Sequence, residues 1–394
     1  MQRKIALNII YKTINDSSYT NLLMRSELEK LKPIQRGFVT NLVNGVLKNY
    51  NYLCFQHEKY YQKTSLRNKV ILSMATFERF FLNEKDYVVN NEYANLANNE
   101  YDKNFINAII HKITKLEEPK NMHIKYSLPE WIYKLLLAQY KENELKIILN
   151  NYHRIPKVYY HINPNKCNMN DLKNLDIEFI SDVVFTSNSN LIATKEFNEG
   201  LFYIQDINAS KLIDLFNFDE NDIFLDACSA PGSKLFNALE YLKPHNCYAN
   251  DLSEKRVNLI KQRALILGYD GVNYSSIDAS RLHECFDIKF DKVLIDVPCS
   301  GLGVIGRRSD IKFHIKPESL DELQNIQKNI LLSASKVVKD NGYLLYSTCT
   351  LNKKENEKQI ESFLKENNSF KLIRMRTILN LEGDLFFEAL LRKV

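Results

Sequence analysis

The sequence lacks three features that would point to particular classes of protein. No apolar run approaches the roughly 18–20 residues that a membrane-spanning helix requires, and the start is soon too polar for a signal peptide. The seven cysteines are odd in number and form no C-x-x-C pair, which argues against a disulfide framework and against a zinc ribbon. We therefore expect a soluble, cytoplasmic protein with no membrane contact and no metal.

Length and composition allow a large globular protein of more than one domain. The 394 residues suffice for two or three domains, and 45% hydrophobic with 26% charged residues is ordinary globular usage. The net charge of +5 permits a nucleic-acid partner but does not demonstrate one, because clustering of charge on one face decides binding. A monomer is expected.

Glycine is scarce in the first half, where only two of the eleven occur, and this disfavours tight βα turns there. Apolar residues recur instead at helical spacing, which predicts an all-α domain over residues 1–125. One such stripe consists of Val39, Leu42, Val43, Val46 and Leu47. Residues 126–199 are predicted to form a small connecting subdomain. It would hold one helix over residues 131–150 and short β-like runs at 158–162, 177–180 and 183–186.

From residue 200 onward, short apolar strands alternate with helices. This alternation predicts an α/β fold, in which a mostly parallel sheet carries helices on both faces, over residues 200–394. Ligands of such sheets bind beyond the carboxyl ends of the strands. The predicted strands are residues 223–225, 247–249, 272–275, 293–295 and 343–346.

The first candidate site is a turn of small residues after the first strand. Small side chains let a ligand approach the backbone, and the following helix offers free amide groups. The spacing is neither the G-x-G-x-x-G of a dinucleotide fold nor the G-K-[ST] of a P-loop, so both functions lose support. A purely structural βα turn is the alternative. The turn consists of Asp226, Ala227, Cys228, Ser229, Ala230, Pro231, Gly232, Ser233 and Lys234.

Acidic residues and cysteines follow the remaining strands. Asp251 is placed to accept hydrogen bonds from ribose hydroxyls and Asp278 from an adenine amino group, which fits S-adenosylmethionine, since no phosphate cradle is present. Alternatively, Asp251 caps a helix and Asp278 is a loop carboxylate. Asp296 opens the motif D-V-P-C-S-G-L-G, which contains Cys299, and Cys349 lies in Y-S-T-C-T. Such cysteines are usually core residues, but two of them at a ligand-binding edge favour chemistry.

The order of these motifs resembles the RNA 5-methylcytosine methyltransferases. The last motif continues to E-N-E at residues 355–357, and two cysteines in separate motifs mark the RNA enzymes. Residues 40–47 and 105–110 resemble a NusB-type domain. Both parts together resemble the RsmB (Sun/Fmu) family of bacterial 16S ribosomal RNA cytosine-5 methyltransferases. The resemblance implies a Rossmann-like, S-adenosylmethionine-dependent catalytic domain after an N-terminal NusB-like RNA-binding domain.

The resemblance also implies roles for individual residues. Cys349 would add to carbon 6 of the cytosine, because carbon 5 is too weak a nucleophile unaided. Asp296 would hydrogen-bond the base, with a pKa raised by burial, and would also contact the cofactor. Cys299 would help to release the product. The reverse assignment, with Cys299 as the nucleophile, is the rival. The remaining cofactor contacts would come from residues 228–234 with Asp251 and Asp278.

Arg307, Arg308 and Lys312 lie in a segment similar to R-R-x-P-D-x-K-W and would hold RNA phosphates, with a solvated charged loop as the alternative. The chain departs from the family's C-A-A-P-G-G-K-T, notably at Ser233, which adds a side chain where the cofactor approaches the backbone. Transfer RNA is an alternative substrate. A non-catalytic RNA-binding or ribosome-assembly factor is the alternative from another class.

Overall fold

The computed structural model describes residues 1–16, 18 and 20–394, which form two compact units. One unit comprises Met1–Leu145 with Ile305–Pro317, and the other comprises Lys146–Val304 with Glu318–Val394. The sequence analysis placed residues 305–317 in the carboxyl-terminal segment, whereas the structure returns them to the first unit. Phe313 holds this segment in the first unit, because its ring packs edge-on against the Tyr50 ring with the centroids 5.7 Å apart.

The α-helices are, in chain order, α1 (Gln2–Asn15), α2 (Thr20–Leu28), α3 (Pro33–Glu58), α4 (Leu66–Phe81), α5 (Asp86–Ala94), α6 (Glu100–Lys112), α7 (Met122–Lys125), α8 (Glu130–Gln139), α9 (Glu142–His153), α10 (Lys195–Asn198), α11 (Ile207–Ser210), α12 (Ser233–Ala238), α13 (Glu254–Leu267), α14 (Leu282–Cys285), α15 (Ile311–His314), α16 (Ser319–Val337) and α17 (Glu357–Glu366).

The β-strands are β1 (Tyr159–Ile162), β2 (Glu178–Phe179), β3 (Val184–Thr186), β4 (Phe202–Ile204), β5 (Phe224–Asp226), β6 (Cys247–Asn250), β7 (Asn273–Ser275), β8 (Phe290–Asp296), β9 (Val338–Thr348), β10 (Phe370–Ile378) and β11 (Phe386–Lys393).

The first unit is helical, as the apolar spacing predicts. The predicted stripe lies on α3, and its five side chains are at most 1% exposed. Burying an aliphatic side chain is worth roughly 1.5–3 kcal/mol, so this stripe is a main source of stability for the unit. The N-cap of α4 is Ser65, whose hydroxyl accepts a hydrogen bond from the backbone N–H of Asn68 at 3.2 Å. The ring of Phe77 on α4 lies so close to Gly45 on α3 that a Cβ there would meet it at 2.0 Å.

The prediction of one helix over residues 131–150 is wrong, because the chain forms two helices there, α8 and α9. Tyr140 between them takes extended backbone, with φ −121° and ψ 144°. The backbone N–H of Lys141 donates to Glu144 Oε2 at 2.9 Å and so starts the second helix. Since Tyr140 is buried, packing of its ring outweighs the continuous apolar periodicity.

A small antiparallel sheet with the strand order β2-β3-β1-β4 opens the second unit. Three of its strands coincide with the predicted β-like runs. Its core is aromatic: Tyr160 stacks on Phe185 with the ring centroids 5.4 Å apart, and Phe202 meets Phe185 edge-on at 5.2 Å. Such aromatic pairs add roughly 0.5–1.5 kcal/mol beyond their buried area.

The large sheet of the second unit has the strand order β10-β11-β9-β8-β5-β6-β7. The strands β5 to β9 run parallel, and β11 and β10 extend the sheet antiparallel. Alternate residues enter two separate apolar clusters, one on each face: Leu294 and Leu345 in one, Val293 and Leu344 in the other. This confirms the predicted α/β fold. The strand order reverses at β5, which lies between β6 and β8.

Candidate active site

The carboxyl ends of the parallel strands carry the predicted acids and cysteines. Asp226 ends β5, Asp251 follows β6, Asp278 follows β7, Asp296 ends β8 and Cys349 follows β9. All of them belong to the second unit. Because the strand order reverses at β5, these ends enclose the place where open α/β sheets bind ligands.

A cavity of about 230 Å³ lies at this edge of the sheet. The structure brings five of the predicted cofactor residues into its wall, together with apolar side chains of α16. Ser229 and residues 231–234 are not part of the wall and shape the turn behind it. The wall consists of Ala227, Cys228, Ala230, Asp251, Leu252, Arg256, Asp278, Ala279, Asp296, Pro298, Ile326 and Ile330.

Asp251 is held in place by its neighbours. Its Oδ2 accepts from the backbone N–H of Ala230 at 3.3 Å, and its Oδ1 accepts from that of Ser253 at 3.0 Å. Arg256 lies 3.4 Å from Oδ1. Asp251 is only 4% exposed, so its carboxylate has a fixed orientation at the cavity. The alternative, that Asp251 caps a helix, is not what the structure has, because the N-cap of α13 is Ser253.

Asp278 is exposed at the far end of the same wall. Its Oδ1 accepts from the backbone N–H of Ser280 at 2.9 Å and from the hydroxyl of Ser280 at 2.8 Å. One oxygen of the carboxylate therefore shapes the local turn. The predicted contact with adenine stays a prediction.

Asn250 is a site residue that the sequence analysis missed. It is fully buried, and its side-chain amide donates to the carbonyl oxygens of Ala227 at 3.0 Å and Ile277 at 2.9 Å. Its Oδ1 accepts from the hydroxyl of Ser275 at 2.9 Å. One amide thus ties together the loops after β5, β6 and β7. An asparagine directly before Asp251, at the end of an apolar strand, was the available signal.

The turn after β5 depends on glycine at one position. Gly232 has φ +102°, and a Cβ there would come within 2.8 Å of the Phe236 ring. The turn is also fixed by the backbone N–H of Ser229, which donates to the carbonyl of Asn250 at 2.8 Å. Ser233 is the first residue of α12 and is half-buried.

Lys234 and Asp296 form a partly buried ion pair. Lys234 Nζ lies 2.6 Å from Asp296 Oδ2, and the Ser347 hydroxyl donates to Asp296 Oδ1 at 2.9 Å. Burial alone would lower the pKa of Lys234, but the charges of Asp296, Asp226 and Cys349 outweigh it and raise that pKa. The ammonium is therefore held by Asp296 and lies within electrostatic reach of the Asp226 carboxyl and the Cys349 sulfur.

Asp226 is an unpaired buried acid behind the turn. It is 1% exposed, and neither of its carboxylate oxygens has a hydrogen-bond partner within the described part of the chain. Burial raises its pKa to about 7, against the opposing effect of Lys234. The sequence analysis expected a raised pKa at Asp296, and that expectation stays a prediction.

The two predicted catalytic sulfurs are in direct contact. Cys299 Sγ and Cys349 Sγ lie 3.3 Å apart, although the residues are 50 positions apart in the chain. The hydrogen bond to Cys349 raises the pKa of the Cys299 thiol well above its ordinary value, and burial and the charges of Glu355 and Asp296 act in the same direction. These effects disfavour the thiolate of Cys299, and either sulfur can be the donor in the contact.

The loops that carry these sulfurs are joined by further contacts. The backbone N–H of Gly303 donates to the carbonyl of Cys349 at 2.9 Å. Ser300 and Thr350, each directly after a cysteine, share a hydroxyl–hydroxyl hydrogen bond of 2.6 Å. The buried Glu355 behind both loops is a second residue to which the sequence analysis gave no role, although it opens the E-N-E motif.

The predicted RNA-binding segment lies in the first unit, and the structure corrects the expectation for Lys312. The Lys312 side chain is 4% exposed, and its Nζ donates to the carbonyl oxygens of Lys48 at 2.8 Å and of Ser127 at 2.6 Å. Burial lowers its pKa to about 7. Its nitrogen satisfies buried carbonyls of the helical unit and is not presented to a phosphate.

Arg307 and Arg308 are half-buried. The guanidinium of Arg308 lies 3.5 Å from Asp310 Oδ2, and its side chain is 40% exposed. Their contact with RNA stays a prediction. Within the described residues, no group of three or more histidine, cysteine, aspartate or glutamate side chains is arranged to hold a metal ion. In the same residues, no helix combines the length and apolarity needed to cross a membrane.

The seven-stranded sheet with acids after successive parallel strands defines the second unit as a Rossmann-like methyltransferase fold. The crystal structure of PH0851 matches 99% of this chain and 99% of its own with a TM-score of 0.81 at 20% identity. NSun6 from Pyrococcus horikoshii with SFG matches 68% of this chain and 98% of its own with a TM-score of 0.61 at 18% identity. At these identities the likeness shows the fold.

Sequence comparisons give the family. Residues 213–385 match the family model of the 16S rRNA methyltransferase RsmB/F, and residues 1–115 match the NusB family. The chain is 27% identical to the probable ribosomal RNA small subunit methyltransferase B of Bacillus subtilis, over 93% of this chain and 89% of the relative. It is 29% identical to the ribosomal RNA small subunit methyltransferase B of Proteus mirabilis, over 74% and 73%. The chain belongs to the RsmB/F family of 16S rRNA methyltransferases and carries a NusB domain.

Proposed function

We propose that this chain transfers a methyl group from S-adenosylmethionine to carbon 5 of a cytosine in 16S ribosomal RNA, through a transient bond between Cys349 and carbon 6 of the base. The observation that carries the proposal is the 3.3 Å contact between the sulfurs of Cys349 and Cys299 at the ligand edge of the sheet. The cavity lined by Asp251 and Asp278 begins at the same strand ends. Membership in an rRNA methyltransferase family supports RNA as the substrate.

The residues at the cavity fit the cofactor. Carboxylates of Asp251 and Asp278 in its wall are acceptors for hydroxyl and amino groups. Asp251 is held in one orientation by the backbone N–H groups of Ala230 and Ser253, so its carboxylate is set in the wall before a ligand arrives. S-adenosylmethionine, when bound, carries hydroxyl, amino and ammonium groups and supplies a methyl group on a positively charged sulfur.

Cys349 is the proposed nucleophile. Addition of its thiolate to carbon 6 makes the cytosine ring an enamine, whose carbon 5 is nucleophilic, so one hard step becomes two easier ones. Its neighbour at 3.3 Å, Cys299, has a thiol pKa raised well above the ordinary value and is the poorer candidate for the thiolate. The ammonium of Lys234, within electrostatic reach, favours a negative charge on the Cys349 sulfur.

Asp296 is the proposed recognition group for the base. Lys234 and Ser347 each hold one of its oxygens, so the carboxylate is fixed before any base arrives. In this position the carboxylate would accept a hydrogen bond from the amino group of cytosine, and a proton on Asp296 or on the ring nitrogen would allow the second bond. A base reaches these groups only when it is unstacked, so the substrate is a flipped or single-stranded cytosine.

Cys299 is the proposed proton carrier. Once carbon 5 is methylated, its proton must leave and the Cys349 sulfur must be expelled from carbon 6. The Cys299 thiol, 3.3 Å away, would give its proton to the departing sulfur, and the Cys299 thiolate so formed would accept the proton from carbon 5. The rival assignment, with Cys299 as nucleophile, requires ionisation of the thiol whose pKa is raised.

The first unit, including Arg307 and Arg308, is proposed to bind and select the RNA substrate. Arg307 and Arg308 would bind phosphates, and the NusB domain would choose the RNA. Transfer RNA is the alternative substrate. A non-catalytic assembly factor is the other alternative, which Ser233 favours and the sulfur pair disfavours.

Methyl transfer from labelled S-adenosylmethionine to 16S rRNA and to transfer RNA, followed by bisulfite mapping, tests the proposal. We expect label at a cytosine of 16S rRNA, and none with the Cys349→Ala variant. Label on transfer RNA alone would change the substrate. Absence of label on both RNAs, with no heat in a calorimetric titration of S-adenosylmethionine, would favour the assembly factor.

A further inference from the structure

A buried carboxylate lies behind the two sulfur-bearing loops. Glu355 has no exposed surface, and its oxygens accept four hydrogen bonds. The donors are the backbone N–H of Ser300 at 2.9 Å, its hydroxyl at 2.6 Å, Gln327 Nε2 at 3.0 Å and Asn352 Nδ2 at 3.1 Å. All four donors are neutral groups, so they stabilise the negative charge of Glu355 without cancelling it.

These donors belong to the segments that flank the sulfurs. Ser300 directly follows Cys299, and Asn352 follows Cys349 by three residues. The same Gln327 amide that donates to Glu355 also donates to the carbonyl oxygen of Pro298 at 2.9 Å, on the other side of Cys299. One carboxylate therefore connects both loops and the helix α16.

The charge of this carboxylate also acts on the sulfurs. A negative charge in a buried site favours the protonated form of a nearby thiol. The pKa of the Cys299 thiol is raised by its hydrogen bond to Cys349, by burial and then by Glu355 and Asp296. Asp296 is paired with Lys234, whereas the partners of Glu355 are neutral.

We propose that Glu355 is a positioning residue whose buried carboxylate holds the Cys299 and Cys349 loops together and places a negative charge where it disfavours the thiolate of Cys299. The inference rests on the proposed function, because the chemistry at Cys349 is what gives the sulfur pair its use. Both consequences, the position of the loops and the reactivity of the Cys299 thiol, are measurable without RNA or a methyl donor.

The effect of the Glu355 charge on the Cys299 thiol is tested by alkylation of Cys299 with iodoacetamide at pH 8 in a Cys349→Ser background, which removes the second sulfur, followed by peptide mass spectrometry. Glu355→Gln keeps the shape and removes the charge. We expect alkylation about tenfold faster, since a fall of one unit in the pKa of Cys299 gives tenfold more thiolate. Glu355→Asp keeps the charge and should stay within twofold of the parent rate.

Glu357→Gln is the matched control, because it removes the other carboxyl of the same E-N-E motif, which accepts from Thr377 at 3.4 Å. We expect no change in alkylation. A Glu355→Gln rate within twofold of the parent, or an equal acceleration by Glu357→Gln, would overturn the effect of the Glu355 charge on the Cys299 thiol.

The position is tested by the rate at which diamide joins Cys299 and Cys349 in a disulfide, with two electrons and two protons passing to diamide. Gln327→Met removes the hydrogen bonds from Gln327 to Pro298 and to Glu355 and leaves the charge of Glu355 in place, so it serves even if Glu355→Gln does not fold. We expect disulfide formation at least fivefold slower, with Cys299 alkylation unchanged. An unchanged disulfide rate would overturn the positioning role. A wild-type chain that fails to methylate RNA would refute the proposed function and leave both thiol results standing.

Discussion

The unpaired carboxyl of Asp226 makes the stability of the second unit depend on pH. Its pKa is about 7 in the folded chain against an ordinary value of 3.8, a difference of about 3 units. Between these two values the folded chain holds a proton that the unfolded chain has released. The free energy of unfolding therefore falls by about 1.4 kcal/mol for each unit of rising pH. Over the whole range the free energy of unfolding falls by about 4 kcal/mol. The stability contributed by the protonated carboxyl is fully present below pH ~4 and is lost as the pH rises through about 7.

Asp226→Asn removes this titration while it keeps the size of the side chain. Relative to wild type, the variant should gain up to about 4 kcal/mol between pH 4 and pH 8. Urea titrations at each pH, read by pulsed hydrogen exchange of peptides covering β5, follow the second unit separately. Asp287→Asn, which removes an exposed carboxyl, is the control and should show a constant difference. An equal pH dependence for Asp226→Asn and wild type would refute the buried, unpaired state of Asp226.

Three further changes test other parts of the account. Lys312→Met should lower the free energy of unfolding of the first unit by about 2–4 kcal/mol, because two buried carbonyls lose their donor. Trp131 fluorescence during urea unfolding measures this change, and an unchanged midpoint of the urea transition would contradict it. Arg308→Ala should reduce the slope of log affinity for RNA against log salt concentration by about one phosphate contact, as measured by filter binding. An unchanged slope would show that Arg308 does not contact the RNA. Gly303→Ala places a Cβ 2.0 Å from the carbonyl oxygen of Leu385 and should cut methyl transfer at least tenfold. Circular dichroism should show intact secondary structure. Full activity of this variant would show that the Cys349 loop tolerates displacement.

Sequence patterns predicted the large sheet and the strand ends that carry the acids and cysteines, because these follow from local periodicity. The alternation of apolar residues on β8 and β9 sets which side chains face each cluster, as Val293 and Leu294 show. The order of the motifs likewise predicted that Cys299 and Cys349 act together, and the structure places their sulfurs in contact.

Features that depend on packing between distant segments were missed or wrong. Lys312 is a basic residue in a basic segment, which is typical of a phosphate contact. Its position opposite two buried carbonyls is set by the fold of residues far away in the chain. The break before α9 arises because the ring of Tyr140 is buried, which no periodicity records. The roles of Asn250 and Glu355 come from networks of buried hydrogen bonds, and such networks have no signature in spacing.

Trapping on RNA that carries 5-fluorocytosine at the target position tests the proposed chemistry most directly. Fluorine at carbon 5 cannot leave as a proton does, so the bond between sulfur and carbon 6 persists and the modified peptide can be identified by mass spectrometry. We expect the adduct on Cys349 in the wild-type chain and in Cys299→Ala, and none in Cys349→Ala. An adduct in Cys349→Ala with none in Cys299→Ala would reverse the two roles and contradict the account.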